Sequence, residues 1–300
     1  MMFQIQRPSP VDLSLQQLIQ CRFIPFQTFQ RKNRQSTHQA GNWVSPHRGR
    51  GMEFDEVRRY QSGDDIRYID WRVTARTGHP HSKLFHEERD RSVMISIDLT
   101  PSMFFGSGDK LKSMMACELA AIIGWDHVEQ RQRIGLQILG EAIKVTPISQ
   151  HPKTWLQSLD LLQHQYHLQL EHLQSETNTT QDFNELTHYA PTGADLHFIS
   201  DFYHYSDPDF LQLTILAARH RVVLWQITDP FEFDLPQNAK GRLPVQNLRQ
   251  SGWLVGQSKH FREQYRQAAQ NRQQQIIEAT QKVNLPFHPL STQEDWHAYF

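Results

Sequence analysis

Three short, largely apolar runs each end in aspartate: SVMISID, rich in Val and Ile, closing on Asp98, DLHFISD closing on Asp201 and RVVLWQITD closing on Asp229. Each is brief, apolar on successive positions and bounded by charge, the pattern of a strand buried on both faces. Segments with helical spacing lie between and around them. Leu111, Met114, Met115, Leu119, Ile122 and Ile123 recur at helical intervals within Lys110–Gln130, with Asp109 as the expected N-cap. Thr154–Leu168, Gln181–Tyr189 and Asp207–His220 read as further helices. Strands alternating with helices in this way predict an α/β fold, doubly wound, with a mostly parallel sheet. In such sheets ligands sit outside the carboxyl ends of the strands, where the three aspartates fall.

The rest of the chain divides around that core. Residues 1–40 form an N-terminal arm with a helix candidate at Pro10–Phe23, and 91–300 the α/β domain. Between them, residues 41–90 are dense in charge, Gly and aromatics and lack a sustained period, so short strands and turns are predicted there. Toward the C-terminus, Val245–Val255 suggests strands, Phe261–Val283 carries one apolar stripe of a long Gln-rich helix, and LPFHPLST suggests a last strand.

The formal net charge is −1, which excludes a chain held on nucleic acid or anionic lipid by bulk charge. It is unevenly spread: residues 1–92 carry 15 Lys and Arg against 10 Asp and Glu. No acid lies between Asp12 and Glu53, while Arg22, Arg31, Lys32, Arg34, Arg48 and Arg50 do. That basic stretch docks on a polyanion or lies against the chain's own acidic half. Two cysteines, Cys21 and Cys117, cannot form a disulfide framework. No run reaches the roughly 18 apolar residues of a membrane span, and no signal-peptide pattern opens the chain, so a cytoplasmic protein is expected.

The first strand end carries the densest chemistry. Asp98, Thr100 and Ser102 place a carboxylate and two hydroxyls at i, i+2 and i+4 of a tight loop. All are hard oxygen donors suited to Mg²⁺. Asp201 follows about a hundred residues later, and SETNTTQDF supplies Thr177, Thr179 and Thr180 between them. The histidine groups His79, His81, His86 and His164, His167, His172 lack HExxH or a cysteine partner and read as surface residues. Neither GxxxxGK[ST] nor GxSxG is present.

The order strand–DxTxS–helix, threonine loop, strand–Ser–Asp resembles the von Willebrand factor A fold with its metal-ion-dependent adhesion site. The resemblance implies metal ligation by Asp98, Thr100, Ser102, Thr180 and Asp201, with Thr179 nearly as good a match as Thr180. Upstream, GRGMEFDEVRRYQSGDDIRYIDWRVTAR through KLFHEERD closely resembles the signature of the DUF58 family, and Thr228–Glu232 is similar to its later DPxE element. The resemblance covers roughly residues 40–235. It implies a partnership with a MoxR-type AAA+ ATPase. In the signature, Glu53, Asp64, Asp65 and Asp70 alternate with arginines, and Tyr60 and Trp71 offer an apolar footing, so an internal ion-pair network is expected. Arg58, Arg59, Arg67 and Arg76 are its candidate partner contacts.

The leading expectation is therefore a non-enzymatic adaptor, chaperone-like in complex assembly, acting through an adhesion-type Mg²⁺ site. A metal-dependent hydrolase built on Asp98 and Asp201 is one alternative. A single-stranded RNA binder using residues 22–50 is the other, though aromatics are sparse there and nucleic acid is an unfavoured partner.

Overall fold

The computed structural model describes residues 11–26, 52–61, 66–87, 92–173, 183–235, 242–246, 251–255 and 259–294. The chain divides into two compact units, residues 41–90 and the remainder.

The larger unit is built on a six-stranded sheet. Its strands are β3 (Ser92–Asp98), β4 (Arg133–Leu139), β5 (Lys144–Val145), β6 (Asp195–Ser200), β7 (Arg221–Thr228) and β10 (Phe287–Ser291). They lie in the order β10-β7-β6-β3-β4-β5, all parallel except the short β5, which is antiparallel to β4. From β3 the chain adds β4 on one side, then returns to add β6, β7 and β10 on the other. Strand order reverses between β3 and β6, which makes the crevice at their carboxyl ends the switch point.

Helices cover both faces because strand side chains alternate. Val93, Ile95 and Ile97 of β3 join Ile134, Leu136 and Ile138 of β4 in one apolar cluster, with the helices α3 (Lys112–Glu129) and α4 (Pro152–Glu171). Met94, Leu196, Phe198, Val222 and Leu224 belong to a second cluster, with α5 (Phe183–Tyr189), α6 (Asp207–Ala217) and α7 (Lys259–Lys282). α3 is buried on almost every side, in keeping with an apolar run that only Glu118 interrupts between Met114 and Trp125. It approaches α4 closely at Gly124, where a β-carbon would stand 1.9 Å from the Trp155 ring. Cys117 is buried in this helix, and burial pushes its thiol well above the ordinary range, so it is an inert core residue.

The N-terminal segment is part of this body. Helix α1 (Leu15–Gln20) starts with a capping box: Gln17 N–H donates to Ser14 Oγ and Ser14 N–H donates to Gln17 Oε1. Leu13, Leu18, Cys21, Ile24 and Phe26 enter the first apolar cluster. Trp125 Nε1 donates to the Leu18 carbonyl at 2.9 Å, and the Tyr166 hydroxyl to the Val11 carbonyl at 2.9 Å. Of the basic stretch, Arg22 pairs with Glu129 at 2.9 Å. The other basic residues of that stretch lie outside the described residues.

The smaller unit contains an antiparallel pair, β1 (Met52–Arg59) and β2 (His81–Glu87), joined through a seven-residue helix, α2 (Trp71–Thr77). The helix corrects the expectation of strands and turns alone. Two turns are too short to show a period, but their ends are signalled. Asp70 Oδ1 accepts from the Arg72 and Val73 amides, and Gly78, at φ +74°, closes the C-terminus in the left-handed region. A further antiparallel pair joins β8 (Arg242–Gln246) to β9 (Ser251–Val255); β9 lies within the stretch expected to form strands, and β8 begins three residues before it. No helix among the described residues is long and apolar enough to cross a membrane.

Candidate functional site

The parallel register pairs Ile97 of β3 with Ile199 of β6, so Asp98 stands beside Ser200 at the switch point. Ser200 Oγ donates to Asp98 Oδ2 at 2.6 Å, and the Thr100 amide donates to Asp98 Oδ1 at 2.8 Å. Burial, and then the charge of Asp201, raise the Asp98 carboxyl above its ordinary range against these hydrogen bonds. Thr100 Oγ1 and Ser102 Oγ lie 3.4 Å apart.

Asp201, one residue beyond β6, accepts from the Tyr203 amide through Oδ1 at 2.8 Å. Its other oxygen receives Lys112 Nζ at 2.7 Å. Lys112 is the first residue of α3, and its side chain is 1% exposed. Its ammonium also donates to Glu232 Oε1 at 2.5 Å. Burial alone would lower the lysine's pKa, but the two carboxylates reverse that and hold it above its ordinary value.

Glu232 reaches this position through the Asp229-Pro230-Phe231-Glu232 turn that leaves β7. Phe231 N–H donates to Asp229 Oδ1, and Asp229 N–H donates to Glu232 Oε2, both at 2.9 Å, a capping box that leaves Glu232 Oε1 for the lysine. Asp229 Oδ2 accepts from the Ser107 amide at 2.9 Å and from Thr292 Oγ1 at 2.7 Å. Burial opposes ionisation here, yet these hydrogen bonds outweigh it and hold the Asp229 carboxyl below its usual range. The third strand-end aspartate is therefore an anchor for the loops after β3 and β10.

The expected helix start needs correction. α3 begins at Lys112 after Leu111, and Asp109 does not cap it. The Lys112 amide donates to the Phe105 carbonyl at 2.8 Å, which closes the loop and sets the helix's first residue. Lys110, expected in the helix, instead pairs from the loop with the buried Glu118 at 2.7 Å.

Of the predicted ligands, Asp98, Thr100, Ser102 and Asp201 all lie at the carboxyl edge; Thr177, Thr179 and Thr180 lie outside the described residues. The donor set does not fit Mg²⁺ as it stands. Octahedral Mg²⁺ demands oxygens at about 2.0–2.1 Å. Here both Asp98 oxygens accept from the chain's own donors, and Asp201 is already neutralised by an ammonium. Among the described residues, no group of three or more His, Cys, Asp or Glu side chains is placed to hold a metal.

Arg58, Arg59, Arg67 and Arg76 belong to the smaller unit. Arg59, Arg67 and Arg76 are exposed, and Arg58 Nη1 donates to the Arg59 carbonyl at 3.2 Å. Asp70 is a helix cap in this unit, while Asp64 and Asp65 lie outside the described residues. Trp71 does not supply the expected apolar footing, being 68% exposed, because as the first residue of α2 it projects from a short surface helix.

Lys112 was not legible as a site residue, because it precedes an apolar run and reads as a helix's charged leading edge. The buried His127 and His197 and the half-buried His288 also escaped: they pack near Trp225 and Phe26, away from the two sequence clusters. His197 Nδ1 accepts from Trp225 Nε1 at 3.0 Å, and burial holds the pKa of all three below the ordinary histidine value.

Comparison with known proteins places these features in context. The family described as "Protein of unknown function DUF58" matches residues 56–275. Uncharacterized proteins of Mycobacterium bovis and Mycobacterium tuberculosis are each 28% identical over 263 residues, covering 83% of this chain and 78% of theirs. Among solved structures, the conserved hypothetical protein BatB from Bacteroides thetaiotaomicron gives a TM-score of 0.40 at 12% identity over 65% of this chain and 98% of its own. An aerotolerance-related membrane protein from Bacteroides fragilis gives 0.32 at 11% identity with the same coverage. An uncharacterized membrane spanning protein from Vibrio fischeri gives 0.21 at 14% identity over 69% of this chain and 94% of its own. The descriptions of these last two as membrane proteins run against the expected cytoplasmic location, which is withdrawn.

Proposed function

The chain belongs to the DUF58 family, and from that premise we propose that it is a non-enzymatic interaction module of von Willebrand A type, working with a MoxR-type AAA+ ATPase. The observation that carries this reading is at the switch point. Its charges are satisfied within the chain, while two aromatic side chains stand exposed on the loops that leave adjacent strands there. Phe105, after β3, is 42% exposed, and Tyr203, after β6, is 59% exposed. Exposed aromatics that lose water on contact are the usual anchors of protein interfaces. Tyr203 is already positioned for this: the Arg272 guanidinium lies 5.3 Å from its ring centroid and donates to its carbonyl.

The hydrolase alternative is less well supported. It needs a carboxylate with an oxygen free to activate water. Asp201 is paired with the Lys112 ammonium, and Asp98 is buried with a hydrogen bond at each oxygen.

The test is affinity capture of the AAA+ ATPase from the same genome by the tagged full chain. Wild type should retain it. Phe105→Ala with Tyr203→Ala should weaken retention at least about tenfold, since each lost anchor costs more than about 1 kcal/mol and 1.4 kcal/mol is tenfold. The thermal melt should not change. Equal retention by the double variant removes the edge from the interface, and no retention by wild type rejects the ATPase as partner.

A further inference from the structure

We infer that Lys112 is a built-in cation held by Asp201, one of the carboxylates an adhesion-type site would offer a metal, so that this edge works without a divalent ion. The inference concerns the same edge as the proposed function but is tested on the chain alone, so either can fail while the other stands.

The position of the lysine is unusual on general grounds. A helix N-terminus carries partial positive charge and favours anions in its first turn. Lys112 places a full positive charge there, and buries it. An ammonium taken out of water needs close counter-charges, or it loses its proton. Two are supplied from separate strand ends: Asp201 after β6 at 2.7 Å, and Glu232 after β7 at 2.5 Å. The local structure around each acid holds it in place. The Tyr203 amide orients Asp201, and the Asp229 capping box orients Glu232. Two loops therefore converge on one ammonium, each bringing a carboxylate.

A divalent ion at Asp201 would meet that ammonium within a few ångströms. Either it displaces the lysine from a closed seat, leaving a buried charge unpaired, or two cations share one carboxylate. Mg²⁺ also dehydrates reluctantly, a cost that a tethered ammonium meets once, on folding. A partner approaching the edge would then have no metal shell to complete, and recognition would rest on shape, hydrogen bonding and the exposed aromatics.

The experiment uses Mn²⁺ as the probe, with bound ion read by electron paramagnetic resonance and stability by thermal melting of the full chain. Wild type should show no saturable Mn²⁺ binding and the same melt in chelator as in millimolar Mg²⁺. Lys112→Ala frees the seat and should gain one Mn²⁺ per chain, with a melt that rises with Mn²⁺ as expected for a ligand bound only by the folded state. That gain should vanish in Lys112→Ala combined with Asp201→Ala. One Mn²⁺ bound to wild type and lost in Asp98→Asn would overturn the inference. So would a folded Lys112→Ala that binds none. Should Lys112→Ala fail to fold, Lys112→Gln takes its place, and the wild-type titration still decides metal independence.

Discussion

Two regions of this protein carry carboxylates and basic side chains close together, and they use them in opposite ways. At the switch point, Lys112, Asp201 and Glu232 draw charge into the interior, with the lysine and Asp201 both buried. In the stretch Ile66–Thr77, Arg67, Arg72 and Arg76 remain exposed, and Asp70 serves the backbone by capping α2. The sequence is far denser in charge in the second region. Charge density along the chain thus says little about where ion pairing bears on stability; what matters is whether the tertiary fold closes water out around the pair.

The sharpest test of this contrast is Lys112→Met. It leaves Asp201 and Glu232 facing each other in a closed seat, and it should lower unfolding free energy by about 3–5 kcal/mol in urea melts. A loss no larger than that of an exposed charge would break the comparison. Asp98→Asn comes next and has the opposite sign. The raised Asp98 carboxyl means that the folded chain holds a proton that the unfolded chain gives up. The resulting cost is absent below the unfolded value of about 3.9 and grows as pH rises through the folded one. The variant should therefore gain on wild type as pH is raised from about 4 to about 8. Melts that keep a constant difference across that range would show that the carboxylate is not penalised.

The smaller effects belong to the exposed region. Asp70→Ala removes a helix cap and should cost about 1 kcal/mol, with Asp70→Ser recovering most of it. A loss near that of Lys112→Met would place Asp70 in a buried network after all. Smallest of all, Trp71→Ala should change stability by no more than about 0.5 kcal/mol despite the size of the side chain. A larger loss would show that the indole is covered in solution.

What could be read from the sequence follows the same division. The strands ending in Asp98, Asp201 and Asp229 were legible because each is a short, largely apolar run that charge delimits at both ends. The helices between them were legible from their period. Lys112 was not, because its role comes from contacts with residues 89 and 120 positions away. Asp109 looked like a better helix start, and only the Phe105 carbonyl, a backbone partner, moves the start to Lys112. Glu232 was visible as part of a short motif, but nothing local says that its second oxygen is free for a lysine. His197 and His288 sit within strands, where a period of two does not distinguish a histidine facing the core from one facing water.

The N-terminal segment sets an order on how the chain can be completed. Residues 11–26 leave the ribosome well before their partners, for the hydroxyl that holds the Val11 carbonyl belongs to Tyr166, 155 positions later. At about 5–20 residues per second, about 8–31 s of synthesis separate the two. During that interval Leu13, Leu18 and Phe26 have no finished surface to cover, and they are apolar groups open to a chaperone or to another nascent chain. Closing over α3 and α4 is thus a late step, and a slow ribosome lengthens the time for which the segment stays exposed.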